Sequence, residues 1–145
     1  MSVPPPEGYR TVSAFLIAPE AEEVLAFAQA VFGAAPAKPA LRAPGGRLIN
    51  LPLAVGDSMV MLAAPMDGQM RQTAMLHVYV QDCDATHRAA LAAGATEMMA
   101  PADQWYGDRA AGVRDMAGNI WWIATRKESP DHDELTRRAA AEKGR

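Results

Sequence analysis

The sequence predicts an α+β domain in which one β-α-β-β-β unit is written twice, the copies pairing into a partly open barrel with helices outside and a short C-terminal helix. Three observations carry this. An apolar strand leads at once into an amphipathic helix and then into short strands punctuated by Pro and Gly, and that order starts again near residue 74. Gly33-Ala34 recurs as Gly94-Ala95, 61 positions on, and Gly56-Asp57 as Gly118-Asn119, 62 positions on. Over 145 residues, 50% are apolar and 21% charged, which supports one core and leaves no room for a second independent domain.

Residues 11–18, TVSAFLIA, form an apolar run with β-branched members and read as a strand. A helix follows, with Pro19 in its first turn, Glu20, Glu22 and Glu23 at its positive dipole end, and Gly33 at the left-handed cap. Val24, Phe27, Ala28, Val31 and Phe32 give it one apolar stripe to set on a sheet. Strands are expected near 38–42, 47–55 and 58–63, with turns at Gly45-Gly46 and Gly56-Asp57. In the second half, 74–81 reads as a strand, and Asp82 or Asp84 caps an Ala-rich helix that runs to Gly94. Strands near 96–100, 112–115 and 119–125 complete the unit, with a long loop between the first two. The expected organisation is a flexible segment at 1–8, one domain at 9–126 (module one 9–64, module two 73–126) and a charged helical tail at 127–145 that starts around Ser129, Pro130 and Asp131.

Fourteen Lys and Arg against seventeen Asp and Glu give a net charge of −3, so no basic field draws the chain to nucleic acid or an anionic membrane. No uncharged stretch reaches the roughly 18–20 apolar residues of a spanning helix, and the first ten residues lack an apolar signal core. The expectation is a cytoplasmic protein. A single cysteine, Cys83, excludes an internal disulfide and a multi-cysteine zinc site, and reads as a small buried filler. Asp131, His132 and Asp133 are consecutive and cannot converge on one ion. No Ser-His-Asp spacing, Gly-rich phosphate loop or paired-carboxylate site is present.

Six segments in fixed order carry a family resemblance: YRTVSAFLI at 9–17, VFGA at 31–34, GDSMVMLA at 56–63, LHVYVQDCDA at 76–85, DQWYGDR at 103–109 and VRDMAGNIWWIAT at 113–125. Over residues 9 to about 126 the chain resembles the vicinal oxygen chelate superfamily, and within it the PhnB-like glyoxalase/bleomycin-resistance/dioxygenase branch. The resemblance implies a concave pocket, a homodimer, and a divalent metal acting as Lewis acid on vicinal oxygens of a substrate. In metal-dependent members the ligands sit on the first strand of each module, usually His, and on the last, usually Glu. The matching positions here are Ser13 (within one pleat of register), Val60 four past Gly56, His77, and Trp122 four past Gly118. Relatives also carry a His and a Glu where this chain has Asn50 and Pro52, and Pro52, lacking an N–H, predicts an edge strand or bulge there. One imidazole cannot replace the hydration of a divalent ion, which takes about three protein ligands, so neither metal nor other cofactor is expected.

His77 alternates with Tyr79 on one strand face, with Leu76, Val78 and Val80 on the other. It reads as a catalytic general base, a ligand anchor, or a structural histidine inherited from a chelating ancestor. His87, on the second helix, reads as solvent-facing. Trp121 and Trp122 leave opposite faces; Trp122 is the inward one, an aromatic wall for a ligand or a plug. Gln104, Trp105, Tyr106 and Arg109 offer aromatic and fork-shaped groups for a planar or anionic ligand. Alternatively that loop is structural, with Arg109 paired to Asp108 or Asp115 and Trp105 closing the barrel end. The methionines, nine in all and including Met59, Met61, Met75 and Met99, read as core filler or as lining for varied apolar ligands. The expected function is binding of a small aromatic or amphipathic molecule by Asn50, His77, Gln104, Trp105, Tyr106, Arg109 and Trp122. The alternative is an enzyme of the superfamily, either a metal-dependent lyase, dioxygenase or transferase, or a metal-free acid-base catalyst using His77.

Overall fold

A computed structural model of the chain describes residues 2–142; Met1 and the last three residues of the expected tail lie outside the described residues. Module one runs β1 (Ala14–Ile17), α1 (Ala21–Phe32), β2 (Ala35–Pro36), β3 (Leu41–Arg42), β4 (Leu48–Val55) and β5 (Ser58–Ala63). Module two runs β6 (Met75–Tyr79), α2 (Cys83–Ala92), β7 (Thr96–Asp103), β8 (Asp108–Arg114) and β9 (Ile120–Arg126), and α3 (His132–Ala141) follows. The doubled β-α-β-β-β order is therefore present, with strand orders β1-β5-β4-β2 and β6-β9-β8-β7, and β3 attached to β4. In both sheets the first strand pairs in parallel with the last, and the rest are antiparallel. Among the described residues no ladder joins β1 to β6, so the barrel is open along that line.

Local chemistry sets the boundaries. Gly33, at φ 65°, ends α1, and the N–H groups of Gly33 and Ala34 close on the carbonyls of Gln29 and Ala28. Asp82 caps α2 by accepting from Ala85 N at 3.0 Å, and Asp131 caps α3 by accepting from Glu134 N at 2.9 Å. Of the strand expected at 38–42 only Leu41–Arg42 forms, as β3, and a separate short strand, β2, precedes it at Ala35–Pro36. Of the edge or bulge expected at Pro52, a register irregularity is present nearby, between the Leu41–Asn50 and Arg42–Leu48 pairs, but the strand is not an edge. β4 is an inner strand, and the Pro52 carbonyl accepts from Ala37 N, so its missing N–H faces the interruption between β2 and β3. The long loop expected between 100 and 112 is also corrected. β7 and β8 extend toward each other and meet in a four-residue turn, in which Gln104 N donates to Asp108 O at 2.7 Å.

One hydrophobic core spans both modules. The α1 stripe of Val24, Phe27, Ala28 and Val31 packs with Leu16, Leu53, Val60 and Leu62 of the first sheet, and with Val113, Trp121 and Ile123 of the second. Trp121 crosses the module boundary, its ring 5.0 Å from Phe32 and 6.0 Å from Phe27. Cys83 fills a buried gap, and burial raises its thiol above the ordinary range. His87 is not solvent-facing: the α2 face that carries it lies on β7, it is 6% exposed, and its Nε2 lies 3.0 Å from Glu97 Oε1. α3 buries no residue and is held by Arg138, which donates to Trp105 O and pairs with Glu128 and Glu134. No helix among the described residues is long and apolar enough to cross a membrane.

The turn at 115–119 joins the parts. Asp115, 4% exposed, accepts from Ala117 N, Asn119 N, Asn119 Nδ2 and Trp121 Nε1 at 2.8–3.0 Å. Asn119 Oδ1 in turn accepts from Ala74 N, and Arg71, in the connection between modules, bonds Ala117 O and both carboxylate oxygens of Glu20. Removing Asp115 strands several buried donors, each costing about 1–3 kcal/mol. Asp115→Ala should lower stability in urea by about 3 kcal/mol or more, with loss of the Trp121 near-ultraviolet signal, while Asp115→Asn, which keeps one acceptor oxygen, should lose less.

Candidate functional site

The edges of β1 and β6, which no ladder joins and where only Ile17 among the described β1 residues bridges to Gln72, border a slit of about 690 Å³. Alternation along a ladder sends the N–H and C=O groups of successive residues to opposite sides. Val80 N bonds Ala124 O on β9, so His77 and Tyr79 turn their main-chain groups toward the slit. Phe32 and Trp121 line its depth, Ser13 and Asp57 one side, and His77, Tyr79 and Gln81 the other. Apolar floor and polar rim coincide here, which is the common form of a small-molecule site.

The concave face of the second sheet adjoins this slit. His77 pairs with Trp122, and Trp122 with Gly112, so the three form a row across β6, β9 and β8. The indole lies over Gly112, where a Cβ would stand 2.3 Å from the ring. Two residues along β6, Tyr79 packs on His77 with ring centroids 4.9 Å apart and donates its hydroxyl to Asp108 Oδ2 at 3.1 Å. The other Asp108 oxygen accepts from Arg126 Nη1 at 2.9 Å. Asp108 is 2% exposed. Partial desolvation, then the hydrogen bond to Asp108 and its charge, raise the Tyr79 phenol above its ordinary value and keep it protonated.

The residues singled out from sequence fall in three places. His77 and Trp122 share the concave face. Gln104, Trp105 and Tyr106 occupy the β7–β8 turn, and Arg126 links that turn to the face by donating to Tyr106 O at 3.3 Å. Arg109 leaves the opposite side of β8, toward α2, and pairs with Asp84 at 2.9 Å and Asp103 at 3.2 Å rather than with Asp108 or Asp115; its hydrogen bond holds the Asp84 carboxyl below the usual range. Asn50 stands on β4 of the other sheet, its Oδ1 buried without a hydrogen-bond partner. In the sequence Tyr79 stands out only as the neighbour of His77 and Asp108 only as a partner for Arg109, and nothing singles out Arg126, although a polar Tyr two past His77 and an Arg closing the last strand are visible signals.

The chelating positions need one correction. β4 and β5 turn through two residues, Gly56-Asp57, whereas β8 and β9 turn through five, 115–119. Counting four from each glycine therefore lands on opposite faces: Val60 points into the core against α1, and Met61, paired with Phe15, is the counterpart of Trp122. The four positions carry Phe15, Met61, His77 and Trp122, one imidazole and one thioether among them. No group of three His, Cys, Asp or Glu among the described residues could hold a metal ion. This set does not fit the divalent metal that the resemblance implies.

No protein-family model matches the chain. It is 34% identical over 103 residues to the uncharacterized protein Mb0911c of Mycobacterium bovis, covering 63% of this chain and 68% of that protein. It is equally identical to the uncharacterized protein Rv0887c of Mycobacterium tuberculosis, of which it spans 61%. Among solved structures it is similar to TioX from Micromonospora sp. ML1 (22% identity, TM-score 0.64, 81% of this chain and 98% of that one). It is also similar to a glyoxalase/bleomycin resistance protein/dioxygenase family enzyme from Burkholderia phytofirmans PsJN (22%, 0.63, 79% and 96%) and to a glyoxalase-related enzyme from Fulvimarina pelagi (18%, 0.63, 81% and 88%). At these identities the structural likeness is one of fold.

The contact between Gly112 and Trp122 is directly testable. Gly112→Ala should push the indole off its strand, cost about 1–3 kcal/mol and shift the Trp122 indole N–H resonance; an unmoved resonance would mean the ring does not rest there.

Proposed function

We propose, from the premise that the chain belongs to the family of the mycobacterial protein Mb0911c and has the glyoxalase/bleomycin-resistance fold of the vicinal oxygen chelate superfamily, that it binds a small aromatic or amphipathic molecule in the slit between its sheets without a catalytic metal. The observation that carries this reading is the slit itself, about 690 Å³, floored by Phe32 and Trp121 and rimmed by His77 and Tyr79. That volume suits a drug-sized ligand. The half-buried Phe32, Leu76, Val78 and Val80 supply apolar contact area, and the imidazole supplies one donor or acceptor that fixes orientation.

Acid-base catalysis by His77 is the second reading, and one observation favours it. His77 is exposed beside a tyrosine whose hydroxyl is locked to a buried carboxylate, so a bound substrate would meet a titratable ring next to a rigid neighbour. Homodimerisation and a cytoplasmic address belong to the same proposal. Phe15, Met75 and Tyr79 are exposed on the open faces beside the slit, where a second copy could cover them.

A thermal-shift screen of aromatic metabolites and antibiotics should find ligands that stabilise the protein by about 2.7 kcal/mol at 100 times their dissociation constant. His77→Ala should weaken such a ligand roughly tenfold, and unchanged affinity would remove His77 from the site. Incubation with Zn, Ni, Mn and Fe salts followed by dialysis should leave well under one ion per chain; stoichiometric retention would overturn the metal-free reading.

A further inference from the structure

We infer that the molecule held in the slit is a small organic anion whose acid group is read by Arg126, an inference that rests on the binding function proposed above. The arginines of module two and the tail use their hydrogen-bonding edges differently. Arg109 and Arg138 commit Nε together with Nη1 to carboxylates, and Arg137 commits Nε and Nη2 to Glu134. Arg126 donates from Nη1 alone, to Asp108 Oδ1 and to the Tyr106 carbonyl. Its Nε and Nη2 have no hydrogen-bond partner among the described residues. Those two atoms form the edge that grips a carboxylate through two parallel hydrogen bonds.

Asp108 makes that edge rigid. Buried and already accepting from Tyr79, it fixes one end of the guanidinium while 42% of the Arg126 side chain stays accessible. Arg126 borders a recess of about 540 Å³ with Tyr79, Val80, Gln81 and Thr125, and the first three of these also line the main slit. Thr125 is fully engaged, accepting from Cys83 N and donating to Val80 O, and Arg126 is the cation among the described residues lining this recess. At the other end Arg10 is 71% exposed and loosely paired with Asp57 at 3.9 Å. The arrangement fits a flat apolar body in the slit with a carboxylate or phosphoryl group at Arg126. Since Asp108 balances the charge of Arg126, recognition comes from two directed hydrogen bonds more than from net attraction. An acid and its own amide therefore make the discriminating pair.

The test uses indole-3-acetate and 3-phenylpropionate, their primary amides, and phenyl phosphate, followed by calorimetry and by the Arg126 Nε–Hε resonance of nitrogen-15-labelled protein. The acids should bind roughly tenfold or more tightly than the amides and move that resonance. Arg126→Gln should abolish the preference for each acid over its own amide. Tighter binding of phenyl phosphate than of either carboxylate, again lost in Arg126→Gln, would assign the anion as phosphoryl. Because Arg126→Gln uncovers Asp108 and can destabilise the fold, the comparison of acid and amide on the unaltered protein decides by itself. Equal affinities with an unmoved resonance would overturn the anionic assignment and leave the binding function standing; no binding of acid or amide up to roughly millimolar concentration would overturn both.

Discussion

The carboxylate of Asp115 is the constraint on which the two-module arrangement depends. A buried charge is tolerable only when its lone pairs are occupied, and here four donors occupy them. One of those donors is the Trp121 indole, which is thereby aimed across the module boundary at Phe27 and Phe32. A single side chain thus shapes the turn, chooses the rotamer of the largest core residue and sets where module two meets α1. Asn119 and Arg71 extend the same network to the connection and to Glu20, so the start of α1 is fastened to the turn that Asp115 organises.

Trp122 shows the opposite use of the same residue type. One position along the strand from a fully engaged indole, it lies flat over Gly112, on a face left open to solvent. Only a residue without a side chain permits that approach. The positions at which the resemblance implies chelating side chains carry Phe15, Met61, His77 and Trp122, one imidazole among carbon and sulfur.

Much of the architecture was legible because local signals agreed with one another. The α1 stripe, its terminal glycine and the repeated dipeptides all specified the same unit, and the helix appears where they place it. Misreadings arose where local signals were silent. α2 is rich in alanine, so its buried side has little contrast with its exposed side, and His87 carries no mark of burial. The register of β5 depended on the number of residues in a turn, two in one module and five in the other, and a shift of one reverses every side chain. Asp108 and Arg126 lie 18 positions apart on neighbouring strands, a pairing that only the ladder reveals. The stretch at 104–109 announced unusual chemistry correctly as residue types, yet its members point to different sides once β8 begins at Asp108.

The absence of a ladder between β1 and β6 has a mechanical consequence. Backbone bonding fixes strand spacing at about 4.8 Å, whereas here the main-chain tie described across the gap is the pair of bonds between Ile17 and Gln72, beside the strap from Arg71 to Glu20. Away from that tie, the width of the aperture is set by side-chain packing, with the Phe32 and Trp121 rings in contact, rather than by a ladder of fixed pitch.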